Sequence, residues 1–377
     1  MKPIRLTTIG KVIWFFLVVI VCLALFSLVS LLKRGNETKK IDKPTEVDSE
    51  KIIDYTSSKN YSFDFDKNDG FKSENNVISI TESGTYKLNG NNDKYKFVVD
   101  CPNGVVKLVV SNFKTSVVYD LISVKSANKL IIELEDGSKN SIISDLLENA
   151  DSELPTIIKS NSDIEFVGGG KLVVETIGNF LISKANLNFK DAILEINNIN
   201  NGIKIDGNFT MESGTLYILS SAKGLVTSGN TTISDGTFIL RSSESAIKVS
   251  GIFLLNDGKI FIASLNEIQK PNANSLQKTI ILNFKEARTK LLFFHDTTQV
   301  TLAYAGDLSY QHILYSDEFK TENYVLYGSG KIAGTQTYGL YKLEDTAEDG
   351  QLTCEGLVND RFSVKNLVNV YDDIVKK

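Results

Sequence analysis

An all-β chain wound as a parallel β-helix with rungs of about 22 residues, behind one N-terminal transmembrane helix, is the architecture this sequence predicts. Three observations predict it. Glycine-led apolar alternations recur every 22 residues; short β-like runs broken by Gly, Asn, Asp and Ser fill the chain from Val77 onward with no long stretch of helical period; and an uncharged run spans Val12 to Leu32.

The first element is that uncharged run. Lys2, Arg5 and Lys11 precede it, and at ~1.5 Å rise per residue it crosses a bilayer core of roughly 30 Å, whereas the apolar region of a cleaved signal is usually ~7–15 residues. Residues 1–11 are read as a cytoplasmic stub and 12–32 as an uncleaved signal anchor, with a long cleaved signal peptide as the alternative. The chain beyond is expected outside a cell membrane it crosses once, although Lys33, Arg34, Lys39 and Lys40 blur the charge asymmetry. Residues 33–75 are polar and charge-mixed, as suits a linker.

The recurrence defines the next element, residues 76–264. "MESGTLYILSS", "ISDGTFILRSS" and "LNDGKIFIAS" place Gly214, Gly236 and Gly258 at equal spacing, and the same register runs back through Ala192 to Gly170. Two positions after each landmark stand Leu172, Leu194, Leu216, Phe238 and Ile260; four after stand Val174, Ile196, Ile218, Leu240 and Ile262. The position between holds Val173, Glu195, Tyr217, Ile239 and Phe261, a mixed outward face. A second strand aligns Leu181, Ile203, Leu225 and Ile247 beside Ile182, Lys204, Val226 and Lys248; a third carries Leu187, Phe209, Ile233 and Phe253 with slippage. A coil of stacked parallel strands satisfies all three, with Gly, Asn, Asp and Ser at corners that need positive φ. After "LNEIQKPNANS", a loop, the runs "KTIILNF", "TKLLFFHD", "QVTLAYAG", "QHILYSDEF" and "NYVLYGSG" predict capping strands within 265–377, and a last strand is expected over Phe362 to Tyr371.

Net charge is −5, but residues 1–34 carry five positive and no negative charges, so the remainder is formally −10. A nucleic-acid partner is excluded on that balance, and an acidic polysaccharide needs a local basic patch or bridging cations. Cys101 and Cys354 are the two cysteines outside the apolar run, which rules out a disulfide framework and favours free thiols.

Candidate sugar contacts follow from column position. Tyr217 and Phe261 share an outward column two rungs apart, where aromatic rings would stack on sugar C–H faces; a covering loop is the alternative, since Val173 and Ile239 lie in the same column. Lys204 and Lys248 repeat the two-rung spacing on another face, and Arg241 lies beside the first column; ordinary solvated charge is the competing explanation. A lyase needs a Lys or Arg base and usually a cation that acidifies the proton, and no acidic cluster accompanies these residues. His295 and His312 lie outside the repeat, Glu195 has no carboxylate partner in its period, and no phosphate loop, nucleophile elbow or zinc spacing is present. The Asn-rich corners, "NNINNG" and Asn140, are read as structural ladders that satisfy turn backbone.

"ITESGTYKLNG" (80–90), "ISVKSANKLIIELEDGSKNSI" (122–142), "NGIKIDGNFTMESGTLYI" (201–218) and "HILYSDEFKTENYVLYGSG" (312–330) resemble successive landmarks of the bacterial carbohydrate-binding domain family, typified by a clostridial cellulose-binding protein. The resemblance implies a right-handed coil similar to pectate-type polysaccharide lyases, surface display, polysaccharide binding, and calcium held by acidic corner residues. At those corners this chain keeps Asp163 and Asp206 as candidate calcium ligands but has Ala185, Asn186, Ser228 and Ser250 elsewhere. The expectation is a non-catalytic polysaccharide-binding surface protein. A pectate-type lyase and a structural or adhesive surface protein without sugar affinity are the alternatives.

Overall fold

Parallel stacking of the 22-residue units is what the computed structural model contains. It describes residues 59–373 apart from 71, 117–119, 145–153, 296–298, 318–322, 328–335, 339, 342–358 and 364–369. The predicted stub and membrane segment, residues 1–32, lie outside the described residues; among those described no helix is long and apolar enough to cross a membrane.

Strands stack into three ladders around one core. The glycine-led strands form the first face, with Lys171, Ile193, Thr215, Thr237 and Lys259 in direct register. The second face aligns Thr156–Ser160, Asn179–Ser183, residues 201–205 and 223–227, and Ser245–Val249. The third runs from Lys59–Asp64 through Asp163–Val167, Leu187–Phe189, Phe209–Met211 and Thr231–Ile233 to Phe253–Leu255, nine rungs among the described residues. Strands Ile193–Ile205 and Thr215–Thr227 are continuous around the corner between the first two faces.

All ten residues of the two predicted apolar columns are buried, from Leu172 to Ile262. Burying each such side chain contributes about 1.5–3 kcal/mol. Corner geometry follows the glycines: φ is +86° at Gly214, +97° at Gly236 and +104° at Gly258. One rung up, Ala192 takes the landmark position because Asp191 carries the positive φ, +60°.

Three features differ from the sequence-based expectation. Among the described residues the coil begins with Lys59–Asp64, inside the stretch read as linker, because Phe63 and Phe65 bury into the core. On the third face Thr231, not Ile233, continues the Phe209 column; Ile233 continues Met211. A threonine is tolerated in that core because its hydroxyl meets the Thr227 hydroxyl at 3.0 Å. At the C-terminal end, strand Asn359–Ser363 starts before the expected strand over 362–371 and Val370–Asp373 runs past it, the residues between lying outside the described ones.

Beyond Ser264 the direction reverses. Residues 312–316 run antiparallel to 260–264, and 279–283 pair antiparallel on their other side. The preceding loop blunts the ends of the other two faces. The Gln269 amide accepts from the Val249 N–H at 2.6 Å and donates to its carbonyl at 2.9 Å, while Asn272 N donates to Phe253 O and Gln277 N to Leu255 O.

Candidate functional site

Column position and exposure separate the predicted site residues into two groups. Tyr217, Phe261 and Arg241 lie on the outer side of the first face, but that side is covered: Tyr217 is 4%, Phe261 0% and Arg241 6% exposed. This side is buried in one apolar cluster in which Ile280, Leu282, Ile313 and Tyr315 extend the same face in register beside Phe261 and Ala263, and Phe284, Tyr310 and Leu340 join them. The covering-loop alternative therefore describes this face, and these three residues do not form an open platform. Tyr338 closes its edge, stacking on Tyr217 with ring centroids 4.2 Å apart at 21°. Arg241 Nη1 donates to Tyr217 Oη and to the Tyr338 carbonyl, each at 3.3 Å, and its guanidinium lies 5.6 Å from the Tyr310 ring centre. Glu195, just outside, accepts from Tyr338 Oη at 3.4 Å and pairs with Lys171 at 2.5 Å.

Burial makes these phenols hard to ionise. It pushes Tyr338 up to about 12, helped by the Glu195 charge, and raises Tyr217 and Tyr310 despite Arg241. A phenol whose folded pKa lies above its unfolded value adds stability that is complete below about pH 10 and is lost as pH rises through about 12. In an alkaline titration followed by tyrosinate absorbance, the exposed tyrosines are expected to ionise first. A late group ionises together with loss of β circular dichroism, and Tyr338→Phe shrinks it. Simultaneous ionisation of all 14 tyrosines near pH 10, with the fold intact, would contradict the cover.

The second face is different. Lys159, Ile182, Lys204, Val226 and Lys248 occupy one outward column, neighbours in register on successive rungs. Lys204 and Lys248 are exposed, Ile182 and Val226 half-buried, so a cation alternates with an aliphatic patch at a two-rung spacing of roughly 9.6 Å. Four coil lysines pair with a glutamate one rung on, in Lys107–Glu133, Lys129–Glu165, Lys171–Glu195 and Lys190–Glu212. Lys159 pairs with Asp120 at 2.7 Å, but Lys204 and Lys248 have no ion pair among the described residues.

Asp163 and Asp206 do not make a calcium site together. Asp163 aligns with Asn186 and Asn208, so Asp206 stands two rungs away, roughly 9.6 Å along the coil, and two residues off that register, whereas an ion is held at about 2.3–2.6 Å from each oxygen. Asp163 Oδ1 accepts from Asn186 N at 2.9 Å and Nδ2 at 3.1 Å. It thereby heads a corner ladder in which Asn186, Asn208 and Asn230 each accept the backbone N–H of the next rung. Asp206 is exposed, and among the described residues no three His, Cys, Asp or Glu side chains converge. Asn140 is likewise structural, accepting from Phe113 N and donating to Lys171 O. Cys101 is free and buried; Cys354 lies outside the described residues.

A family model described as "carbohydrate-binding domain-containing protein" matches residues 74–311, which take in most of the coil and the first capping strands. The chain belongs to this carbohydrate-binding domain family. Among solved structures it is similar to the polysaccharide lyase-like protein from C. thermocellum, determined as a gadolinium derivative. That match has 23% identity and a TM-score of 0.46, and covers 54% of this chain and 90% of that one. Among curated proteins, none matches the chain. Within the family frame, the lysine column is the uncovered outward surface with a regular pattern that the sequence pointed to. Val173 and Ile239 in the same column pointed to a cover over Tyr217 but not to the segments that supply it, because nothing in the repeat encodes where residues 310 and 338 fold back.

Proposed function

We propose that the chain binds a polysaccharide without cleaving it, at the outer surface of a cell membrane to which residues 12–32 anchor it, and that the polymer is acidic and lies along the second face. The observation that carries this reading is the column Lys159–Ile182–Lys204–Val226–Lys248, whose cations are free at Lys204 and Lys248 on a chain that is otherwise formally acidic. Each ammonium meets a carboxylate of the polymer, and the aliphatic steps between them face the apolar sides of its sugar rings. A basic track of this kind answers the charge problem locally. A divalent cation bridging polymer carboxylates to Asp206 is the second route. Non-catalytic action is supported by the burial of Arg241, one of three candidate bases, beneath Tyr338, and by the commitment of Glu195 to Lys171.

The test is retention of the full chain, in detergent, on polygalacturonate, cellulose, chitin and peptidoglycan, with calcium and with chelator. Polygalacturonate is expected to retain it. Lys204→Gln with Lys248→Gln is expected to weaken retention about tenfold and flatten its salt dependence, with thermal stability unchanged because both residues are exposed. Loss with chelator assigns the bridging route. No retention on any polymer would overturn the reading in favour of a structural or adhesive role, and release of unsaturated product would overturn the non-catalytic part.

A further inference from the structure

The inward column of the third face runs Tyr61, Tyr86, Leu108, Ile132, Phe166, Phe189, Met211, Ile233, Leu255. It is apolar except at the first two described rungs, where the column meets the N-terminal mouth of the coil. The two tyrosines stack with centroids 4.6 Å apart at 9°. Both hydroxyls turn to Glu82: Tyr61 Oη donates to its carboxylate at 3.2 Å and Tyr86 Oη to its backbone carbonyl at 2.8 Å. Lys59 Nζ reaches the same carboxylate at 2.6 Å. Packing alone would be served by Leu, Ile, Met or Phe at these positions, as it is on the seven rungs that follow.

Tyr61, Tyr86 and Glu82 line a cleft of about 430 Å³, within the range of roughly 300–1,000 Å³ typical of small-ligand sites. Tyr61, Ile78 and Tyr86 supply apolar floor, and Lys72, Thr81 and Glu82 supply a polar rim. The packed column lies directly behind these first two described rungs. A pyranose has the matching shape of chemistry, with C–H faces that stack on an aromatic ring and an equatorial rim of hydroxyls that bond to a carboxylate, an ammonium and a hydroxyl.

We infer that this cleft is a second carbohydrate subsite, which takes the terminal sugar units of a chain end-on, separate from the lysine column that takes a polymer side-on. Tyr61 is the stacking platform, and Glu82 and Lys72 hold the hydroxyls. The ion pair with Lys59 keeps the Glu82 carboxyl below its ordinary range, so an acceptor is present throughout neutral pH. The inference rests on the polysaccharide reading above, and the two fail separately.

The experiment is saturation-transfer NMR of the full chain in detergent with cellotriose and chitotriose, neither of which carries the carboxylates that the spaced lysines would hold. One trisaccharide is expected to receive saturation. Tyr61→Ala is expected to weaken its binding about tenfold or more, Tyr61→Phe to preserve most of it, and Lys204→Gln with Lys248→Gln to leave it unchanged. Should Tyr61→Ala fail to fold, Glu82→Gln, on the exposed rim, is expected to weaken binding several-fold with the melting curve preserved. Retention on a polymer without binding of any trisaccharide overturns the end-on subsite and leaves the side-on reading standing. Trisaccharide binding that survives Tyr61→Ala and Glu82→Gln but falls with the lysine pair also overturns it.

Discussion

Gly236→Val is expected to disrupt the coil at its most regular point. Residue 236 sits at φ +97°, where any side chain is strained by about 1–3 kcal/mol. A Cβ there would also lie 2.6 Å from the Gly214 carbonyl oxygen of the rung above, and that oxygen already accepts the Thr237 N–H at 2.8 Å. Neither atom is free to move, since Gly214 and Gly258 stack at the same corner with the same close approach to the carbonyl above, 2.5 and 2.6 Å. The substitution should lower the melting temperature by many degrees or leave the chain insoluble. A circular-dichroism melt indistinguishable from the parent would refute the stacked-corner geometry.

Phe238→Ala should cost about 3–5 kcal/mol by urea unfolding, from lost burial and the cavity left behind. The ring is 0% exposed, packs on Phe209 with centroids 6.0 Å apart at 43°, and lies in register between Leu216 and Ile260. Because each rung contacts chiefly its neighbours, the loss should appear first as faster hydrogen exchange over residues 209–264, ahead of the N-terminal rungs. Phe238→Leu, which retains most of the volume, should cost less than about 1.5 kcal/mol. A loss under about 1 kcal/mol for the alanine variant would mean the cavity is relieved by rearrangement.

Where the repeat is strict, the sequence was fully informative. From Lys171 to Lys259 every rung advances by the same number of residues, so period-two alternation and corner glycines locate each side chain on its face. Nearer the N-terminus the third-face step from Leu130 to Ile164 is longer by an insertion containing 145–153, and a fixed register cannot be carried through it. Lys204 and Lys248 were placed correctly because their position depends on the period alone. Tyr217, Phe261 and Arg241 were placed on the right column but not in the right environment, because exposure there is decided by Tyr310, Tyr338 and their neighbours, far away in sequence. Asp163 shows the same limit in another form: a corner aspartate has the composition of a cation ligand, while its oxygen is occupied by the next corner's asparagine. The tyrosine pair at residues 61 and 86 escaped notice since each appears once, outside the periodic block.

The reversal of direction at residues 312–316 bears on how long such a coil can become. A stack of parallel rungs offers, at its last rung, the same hydrogen-bonding edge that the next rung would use, and a second molecule presenting its own first rung could continue the stack into a fibre. Here the first face ends in a strand pointing the other way, with 279–283 and then 370–373 beyond it, and the Gln269 amide and the residue 272–277 loop occupy the last strands of the other two faces. Head-to-tail growth therefore stops within the molecule, and the coil has a fixed length. Lengthening it requires a 22-residue duplication inside the strict block, which would leave this C-terminal closure untouched.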